Sequence, residues 1–376
     1  MTVLVRRVDD TAEAIGRAVE EIVAHFGLLE ALPADAVVLL KPNLCSILPP
    51  PQARGAITDR RIVQALVALL APRFRVLVAE GSDRVTDTRE AFAHYGYTDL
   101  ESAGARLVDL EEETIEAPVP RPVTHSRLHI GRAAVEADCI INLPVMKTHN
   151  NTTVSLALKN LTGCVDRIDK ARAHVLGLDG SFSDYYQVLR PQLNVLDAVW
   201  GMEGNGPLWG QSRFAGYLLA SDDAIALDWT AARMMGFDPT RIGHLTRAAE
   251  IFGFRPEAVV IDGVMADLGF QPPPPCPPAV ARRAGLLSRL RGRFAAGGNG
   301  RPRAVIQPSR CRACGLCQRA CPATAIHRAG HTFEVKAGDC LGCRICVEFC
   351  PANAIAIVAG ATAPAAGQPA GGEVSP

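Results

Sequence analysis

"DCIINLPVMKTHNNTTVSLALKN", residues 138–160, opens with the apolar run Cys139–Ile141 and stops at Pro144. A short apolar run closed by proline reads as a buried strand, because proline cannot donate to a sheet ladder. Lys147 and His149 come just past it. "TTVSLALKN" (152–160) then reads as a helix, with Thr152 and Thr153 near its start and Lys159 and Asn160 at its far end. Between residues 143 and 164 there is no acid. Cations gathered beyond a buried strand, with hydroxyls and free N–H groups at a helix start, suit a carboxylate or phosphate.

The same pattern recurs outward in both directions. "AVVLL" (36–40) runs into Lys41 and Asn43, and "RVLVAEGSD" (75–83) runs into Glu80 and Ser82. "LNVLDAV" (193–199) and "AVVIDG" (258–263) are two more strand-like runs. Between them lie segments with helical spacing of apolar residues: 11–27 with Thr11 as N-cap, 58–72 capped by Thr58 or Asp59, 88–97, and 222–236. Alternating strands and helices predict an α/β domain over residues 1–270, a mostly parallel sheet with helices on both faces. In such sheets ligands bind beyond the carboxyl ends of the strands. The polar residues cluster there, and "GMEGNGP" (201–207) adds Glu203 and Asn205. These loops predict a pocket for an anionic small molecule, with Lys147, His149 and Lys159 as its catalytic groups and Ser82, Glu203 and Asn205 among its binding groups. No G-x-G-x-x-G turn after a strand and no P-loop occurs, so the sequence carries no NAD, FAD or ATP signature.

The second decisive feature is a repeat. Cys311-x2-Cys314-x2-Cys317-x3-Cys321-Pro322 recurs as Cys340-x2-Cys343-x2-Cys346-x3-Cys350-Pro351. This is the bacterial ferredoxin run, in which the fourth cysteine of each run ligates the other cluster. It assigns Cys311, Cys314, Cys317 and Cys350 to one 4Fe–4S cluster and Cys321, Cys340, Cys343 and Cys346 to a second. Zinc sites use paired C-x2-C units rather than runs of four ending in proline. Strands around 304–308 and 354–358, with a hairpin at 325–335, complete a small α+β ferredoxin-like domain over 303–358. The other four cysteines, Cys45, Cys139, Cys164 and Cys276, read as buried and inert.

The 376 residues carry no formal net charge, and nothing in the whole-chain balance marks a nucleic-acid binder. The charge is unevenly placed. From residue 271 onward thirteen Lys and Arg face four acids, leaving +9 there and −9 on the rest. Opposite signs favour docking of the two parts on each other. "QPPPPCPP" (271–278) is a stiff spacer, the basic segment 280–294 reads as a linker helix with peripheral membrane contact as its other use, and 359–376 reads as a disordered tail. With no apolar run near the length of a membrane span and no secretory signal, the expectation is a soluble cytoplasmic protein.

"VVLLKPNL", "VLVAEGS", "INLPVMKTHNNTTVSLALKNLTG" and "ASDDAIALDWTAARMMG" together resemble the domain of unknown function 362 family, whose members are described as uncharacterised iron–sulfur-center proteins. The resemblance spans about residues 36–250. It implies this architecture with a C-terminal two-cluster ferredoxin module, and it marks Lys41, Asn43, Glu80, Lys147, His149, Lys159, Asn160 and Asp228 as site candidates. It supplies no substrate. The functional expectation is a reductase that passes low-potential electrons from a soluble redox partner, through the clusters, to the anion over Lys147. The alternative is a non-enzymatic electron carrier or adaptor that docks a partner protein.

Overall fold

The computed structural model describes residues 1–275 and 302–358. The expected linker helix at 280–294, Cys276 and the expected disordered tail at 359–376 lie outside the described residues.

The strands of the first part, in chain order, are β1 (Thr2–Arg7), β2 (Val37–Lys41), β3 (Arg75–Glu80), β4 (Ala105–Asp109), β5 (Thr114–Pro118), β6 (Arg127–Gly131), β7 (Cys139–Asn142), β8 (Val145–His149), β9 (Thr153–Ser155), β10 (Leu193–Glu203), β11 (Gln211–Ser221) and β12 (Val260–Gly263). β5 and β6 pair with each other as a separate ribbon, and the other ten form one sheet in the order β12-β1-β11-β10-β7-β2-β3-β4, with β8 and β9 branching from β10. The run from β10 through β7, β2 and β3 to β4 is parallel, and β11 is antiparallel to both β1 and β10. The sheet is therefore mostly parallel, as the alternation predicts. After β4 the chain returns to the far side of β2, so strand order reverses between β2 and β7. Lys41 and Asn142 face each other across that switch point.

Continuous apolar strands feed a core on each face. Val38 and Leu40 of β2 join the side covered by the helices Ala12–His25 and Arg60–Leu70, while Leu39 joins the side covered by Leu178–Leu189, Ala224–Met234 and Gly243–Phe252. Caps start several helices where the sequence signals them: Thr11 accepts from Ala14 N–H, Asp59 from Arg61 N–H, and Asp223 from Ile225 and Ala226 N–H.

One local expectation fails. "TTVSLALKN" is not a helix from its start. Thr153–Ser155 is β9, which folds back on β8 so that Lys147 faces Ser155 and His149 faces Thr153. β-Branched Val154 suits a strand, Thr153 enters it at φ +66, and the helix shrinks to Ala157–Asn160. Thr152 Oγ1 donates to Val154 O, so it caps nothing. Nor does Pro144 end the sheet: the chain re-enters it at Val145, against β10.

In the C-terminal part β13 (Arg303–Ile306) pairs with β16 (Ile355–Val358), and β14 (Ile326–Ala329) with β15 (Thr332–Val335), all antiparallel. The helices Leu316–Ala320 and Ile345–Glu348 sit on the cysteine loops. The module is docked on the sheet domain. Ala320, Cys343, Ile345 and Phe349 belong to the same continuous core as the sheet helices. Asn150 Nδ2 donates to Val347 O at 3.3 Å and Asn151 Nδ2 to Glu348 Oε1 at 2.7 Å.

Candidate functional site

At the switch point the chain ends of β2 and β3 form a buried frame. Lys41 Nζ lies 2.8 Å from Glu80 Oε1, with both side chains at most 3% exposed. Glu80 Oε1 and Oε2 accept from Gly81 and Leu44 N–H, each at 2.9 Å. Gly163 passes directly over the pair, where a Cβ would overlap Glu80 Oε1 and meet Lys41 Nζ at 2.6 Å. Asn160 Nδ2 donates to Lys41 O and to Asn142 Oδ1, tying the helix Ala157–Asn160 to both strands. Asp228 starts that helix by accepting from Ala157 and Leu158 N–H at 2.7 and 2.9 Å, and burial raises its pKa to about 7.

Beside the frame lies a cavity with about 150 Å³ open to the centres of water molecules, room for roughly ten waters or a small metabolite. Asn43, Glu80, Ser82, Lys147, Lys159 and Asn160 border it. Lys41, His149, Glu203, Asn205 and Asp228 do not. Lys41 and Asp228 act inside the frame; Glu203 pairs with Arg213 at 3.0 Å and accepts from Gln271 N–H.

Lys147 is 2% exposed, and its Nζ donates to Ala56 O at 2.9 Å and sits 3.7 Å from Cys45 Sγ, with no carboxylate bonded to it among the described residues. Burial, and then the neighbouring Lys159 charge, pull its pKa below the ordinary lysine value, while the Cys45 side works the other way. Lys159 lies over the Phe182 ring, 5.8 Å from its centroid. His149 is fully buried behind the hairpin. Its Nδ1 accepts from Asn151 N–H at 3.0 Å, which leaves the proton of the neutral ring on Nε2. Nε2 is 3.6 Å from Glu348 Oε1, too far for a hydrogen bond, and has no other partner among the described residues. Burial first, and nearby cations second, hold this imidazole well below its usual pKa.

Several further groups border the cavity: Asp83, which closes the polar run after β3, and others that no sequence signal places there. Lys170 Nζ donates to Gly81 O at 2.8 Å and to Glu111 Oε1 at 2.7 Å. Asp83 borders the space with its pKa raised by burial to about 6, even though Val85 and Thr86 N–H both donate to Oδ1. Ile345, Glu348 and Phe349 reach it from the cysteine module. The run of polar residues ending at Asp83 was the available signal for that residue; the others come from a distant helix and from the second module.

The cysteines fall into two quartets. Cys311, Cys314, Cys317 and Cys350 border one cavity, and Cys321, Cys340, Cys343 and Cys346 another, each with about 20 Å³ open to the centres of water molecules. The internal repeat is also a repeat of backbone. Positive φ occurs at Ala313, Gly315 and Thr324, and again at Gly342, Arg344 and Asn353, the same three places in each cysteine run. These turns aim backbone N–H groups at sulfur: Ala313 at Cys311 Sγ, Ala325 at Cys321 and Ala354 at Cys350, at 3.2–3.4 Å. Burial, and then the neighbouring cysteines, raise the pKa of Cys317 to about 12 and that of Cys346 well above the usual value. Thiolates packed so closely need a cation among them, so the donor set fits an iron–sulfur group. Phe349 borders both the first cysteine cavity and the cavity at Lys147.

Comparison with known proteins agrees with this division. A family model described as "Domain of unknown function (DUF362)" matches residues 38–233, and one described as a 4Fe-4S dicluster domain matches 303–351. The C-terminal module is thus a 4Fe–4S ferredoxin domain, equipment for iron–sulfur electron transfer. Thylakoid-associated protein sll1697 of Synechocystis sp. (strain ATCC 27184 / PCC 6803 / Kazusa) is 32% identical over 236 residues, 60% of this chain and 70% of that protein. The lactate racemase apoprotein from Thermoanaerobacterium thermosaccharolyticum aligns with a TM-score of 0.41 and 12% identity, over 62% of this chain and 56% of that one. No helix among the described residues is long and apolar enough to cross a membrane.

Proposed function

This chain belongs to the DUF362 family, and from that premise we propose that it is a ferredoxin-linked reductase of an anionic small molecule. Cys311, Cys314, Cys317 and Cys350 would hold one 4Fe–4S cluster, and Cys321, Cys340, Cys343 and Cys346 a second. Clusters of this type supply electrons one at a time, and a pair suits a two-electron reduction. The observation that carries the reading is Phe349, a single side chain standing between the first quartet and the cavity at Lys147.

Lys147 and Lys159 bind the anionic end of the substrate and oppose the negative charge that grows as it is reduced. A buried ammonium without a carboxylate partner is poorly compensated until an anion arrives, so Lys147 is selective for charge. Ser82, Asn43 and Asn160 orient the rest of the molecule. Phe349, Ile345 and Leu208 exclude water on the module side. The proton comes from Lys147, which borders the cavity; His149 Nε2 reaches it only by way of Glu348, 3.6 Å away. The thiolates require a reducing compartment, and the reading places the enzyme in the cytoplasm.

The test is reoxidation of the pre-reduced, anaerobically reconstituted protein by a panel of small carboxylates and 2-oxo acids, followed by visible absorbance. At least one compound should accelerate reoxidation in the wild type and not in Lys147→Met. A panel compound that reoxidises both proteins at the same rate, with none discriminating between them, contradicts the reading.

A further inference from the structure

A second open space adjoins the cavity, and nothing so far uses it. It is a groove of about 590 Å³ between the helix Arg167–Leu176 and the cysteine loops of the module. Four of the large apolar side chains left in solvent collect along it: Ile168 at 66% exposure, Leu176 at 59%, Val175 at 40% and Leu341 at 38%. Contiguous exposed apolar surface rimmed by charge marks an interaction site. The rim is arginine, from Arg84, Arg127, Arg167 and Arg172. Arg127 is paired with Glu116, Arg167 with Glu111 at 3.8 Å and Arg172 with the buried Asp169, while Arg84 forms no ion pair among the described residues. Pro322 and Leu341 floor the groove, and these two residues also border the cavity of the second cysteine quartet.

We propose that this groove is the docking surface for a small, acidic, one-electron carrier protein that delivers electrons to the second quartet. The inference rests on the reductase reading above and names its electron donor. Charge selects the occupant. The described part of the module carries seven Lys and Arg against three acids before the charge of the clusters themselves, and Arg84, without an ion pair among the described residues, extends that field onto the sheet domain. The chain's own segment 276–301 holds six arginines and no acid, so it is repelled from this rim rather than drawn to it. An acidic protein is steered in by the rim and held by the apolar strip. On transfer, one electron leaves the carrier, which is oxidised, and enters the module, which is reduced; no bond changes and no proton moves. The groove lies over one quartet and Phe349 against the other, which sets an entry side and an exit side. Arg84 and Arg167 border both the groove and the substrate cavity, so they are left out of the variants below.

The experiment uses the reconstituted full chain and an acidic plant-type 2Fe–2S ferredoxin. Its first readout is the dissociation constant of the oxidised ferredoxin by calorimetry. Its second is the rate of cluster reduction by photoreduced ferredoxin, with methyl viologen radical as the small reductant for comparison. The double variant Ile168→Glu/Leu176→Glu changes exposed positions only. The expected result is binding weakened about tenfold or more in the variant and by raised salt, with ferredoxin-driven reduction slowed alike and viologen-driven reduction unchanged. Equal binding and equal ferredoxin rates in the variant overturn the docking surface alone. So do equal losses with both reductants, and so does a wild-type dimer, or binding to anionic vesicles, that the variant abolishes. Clusters that viologen cannot reduce at all remove the reductase reading and the docking surface with it.

Discussion

Replacing Lys41 by Met removes one member of a pair that the structure buries almost completely, with side-chain exposures of 1% for Lys41 and 3% for Glu80. The Glu80 carboxylate would keep its two backbone donors, Leu44 and Gly81 N–H, and lose its only counter-charge within ion-pair distance among the described residues. Breaking a buried pair from one side destabilises by about 3–5 kcal/mol, because the remaining charge stays in a low-dielectric site. For a domain of this size each kcal/mol moves Tm by roughly 2–4 °C, so Lys41→Met should lower Tm by roughly 6–20 °C. Adding Glu80→Gln removes the stranded charge and keeps an amide oxygen for one of the two N–H donors. The double variant should therefore recover most of the loss, leaving a deficit of about 1–2 kcal/mol from the unsatisfied donor. Urea unfolding of the wild type, the two single variants and the double variant under identical anaerobic conditions measures both steps. A single variant within about 1 kcal/mol of wild type, or a double variant as unstable as the two singles added, would refute the view of Lys41 and Glu80 as the frame of the site.

Asp83, with its pKa raised to about 6 by burial, is neutral below that pH and adds a negative charge to the cavity wall above it. Sulfate, which does not titrate in this range, should bind more weakly as pH rises through about 6, and Asp83→Asn should flatten that profile. Because the folded chain holds a proton here that the unfolded chain releases, stability should also fall between the unperturbed value of 3.8 and about 6, and the same variant should remove that slope in pH-dependent urea unfolding. Gly163→Ala should fail to accumulate as folded protein, or unfold at markedly lower urea, since its Cβ overlaps Glu80 Oε1; a wild-type midpoint would show that the frame yields easily. Asp228→Ala should lower stability by about 1–3 kcal/mol by leaving Ala157 and Leu158 N–H buried without an acceptor. It should also weaken sulfate binding through Lys159, two residues along the same short helix, and unaltered affinity would separate Asp228 from the site.

The features legible in the sequence are those whose partners are local. β2, β3, β7 and β10 appear as apolar runs because both their faces are buried, and the cysteine quartets appear because three of each four ligands sit within seven residues. The hairpin at Lys147 was missed although Val154, Leu156 and Leu158 alternate. A two-residue period inside a short Ala- and Leu-containing stretch is easily taken for a helix. Strand order, and hence the switch point between Lys41 and Asn142, depends on contacts about a hundred residues apart and leaves no local mark. Loop position was enough to find Asn43, Glu80 and Ser82 at the cavity edge, and the family resemblance marked Asn160. It could not separate them from Lys41 and Asp228, whose polar groups turn inward to hold backbone and partner. Nothing in either module's sequence says where the other lands, so Glu348 and Phe349 went unread as site residues. The opposite charges of the two parts pointed only to contact in general.

Under the proposed function, electrons held by the cysteine module reach the cavity at Lys147 across Phe349. Diffraction at the iron absorption edge from oxygen-free crystals of the reconstituted chain tests it most directly. Two compact groups of four irons are expected, one of them against Phe349 with the Lys147 cavity on the other side of the ring. A single group, or two groups with the module swung away so that solvent fills the gap, would contradict it.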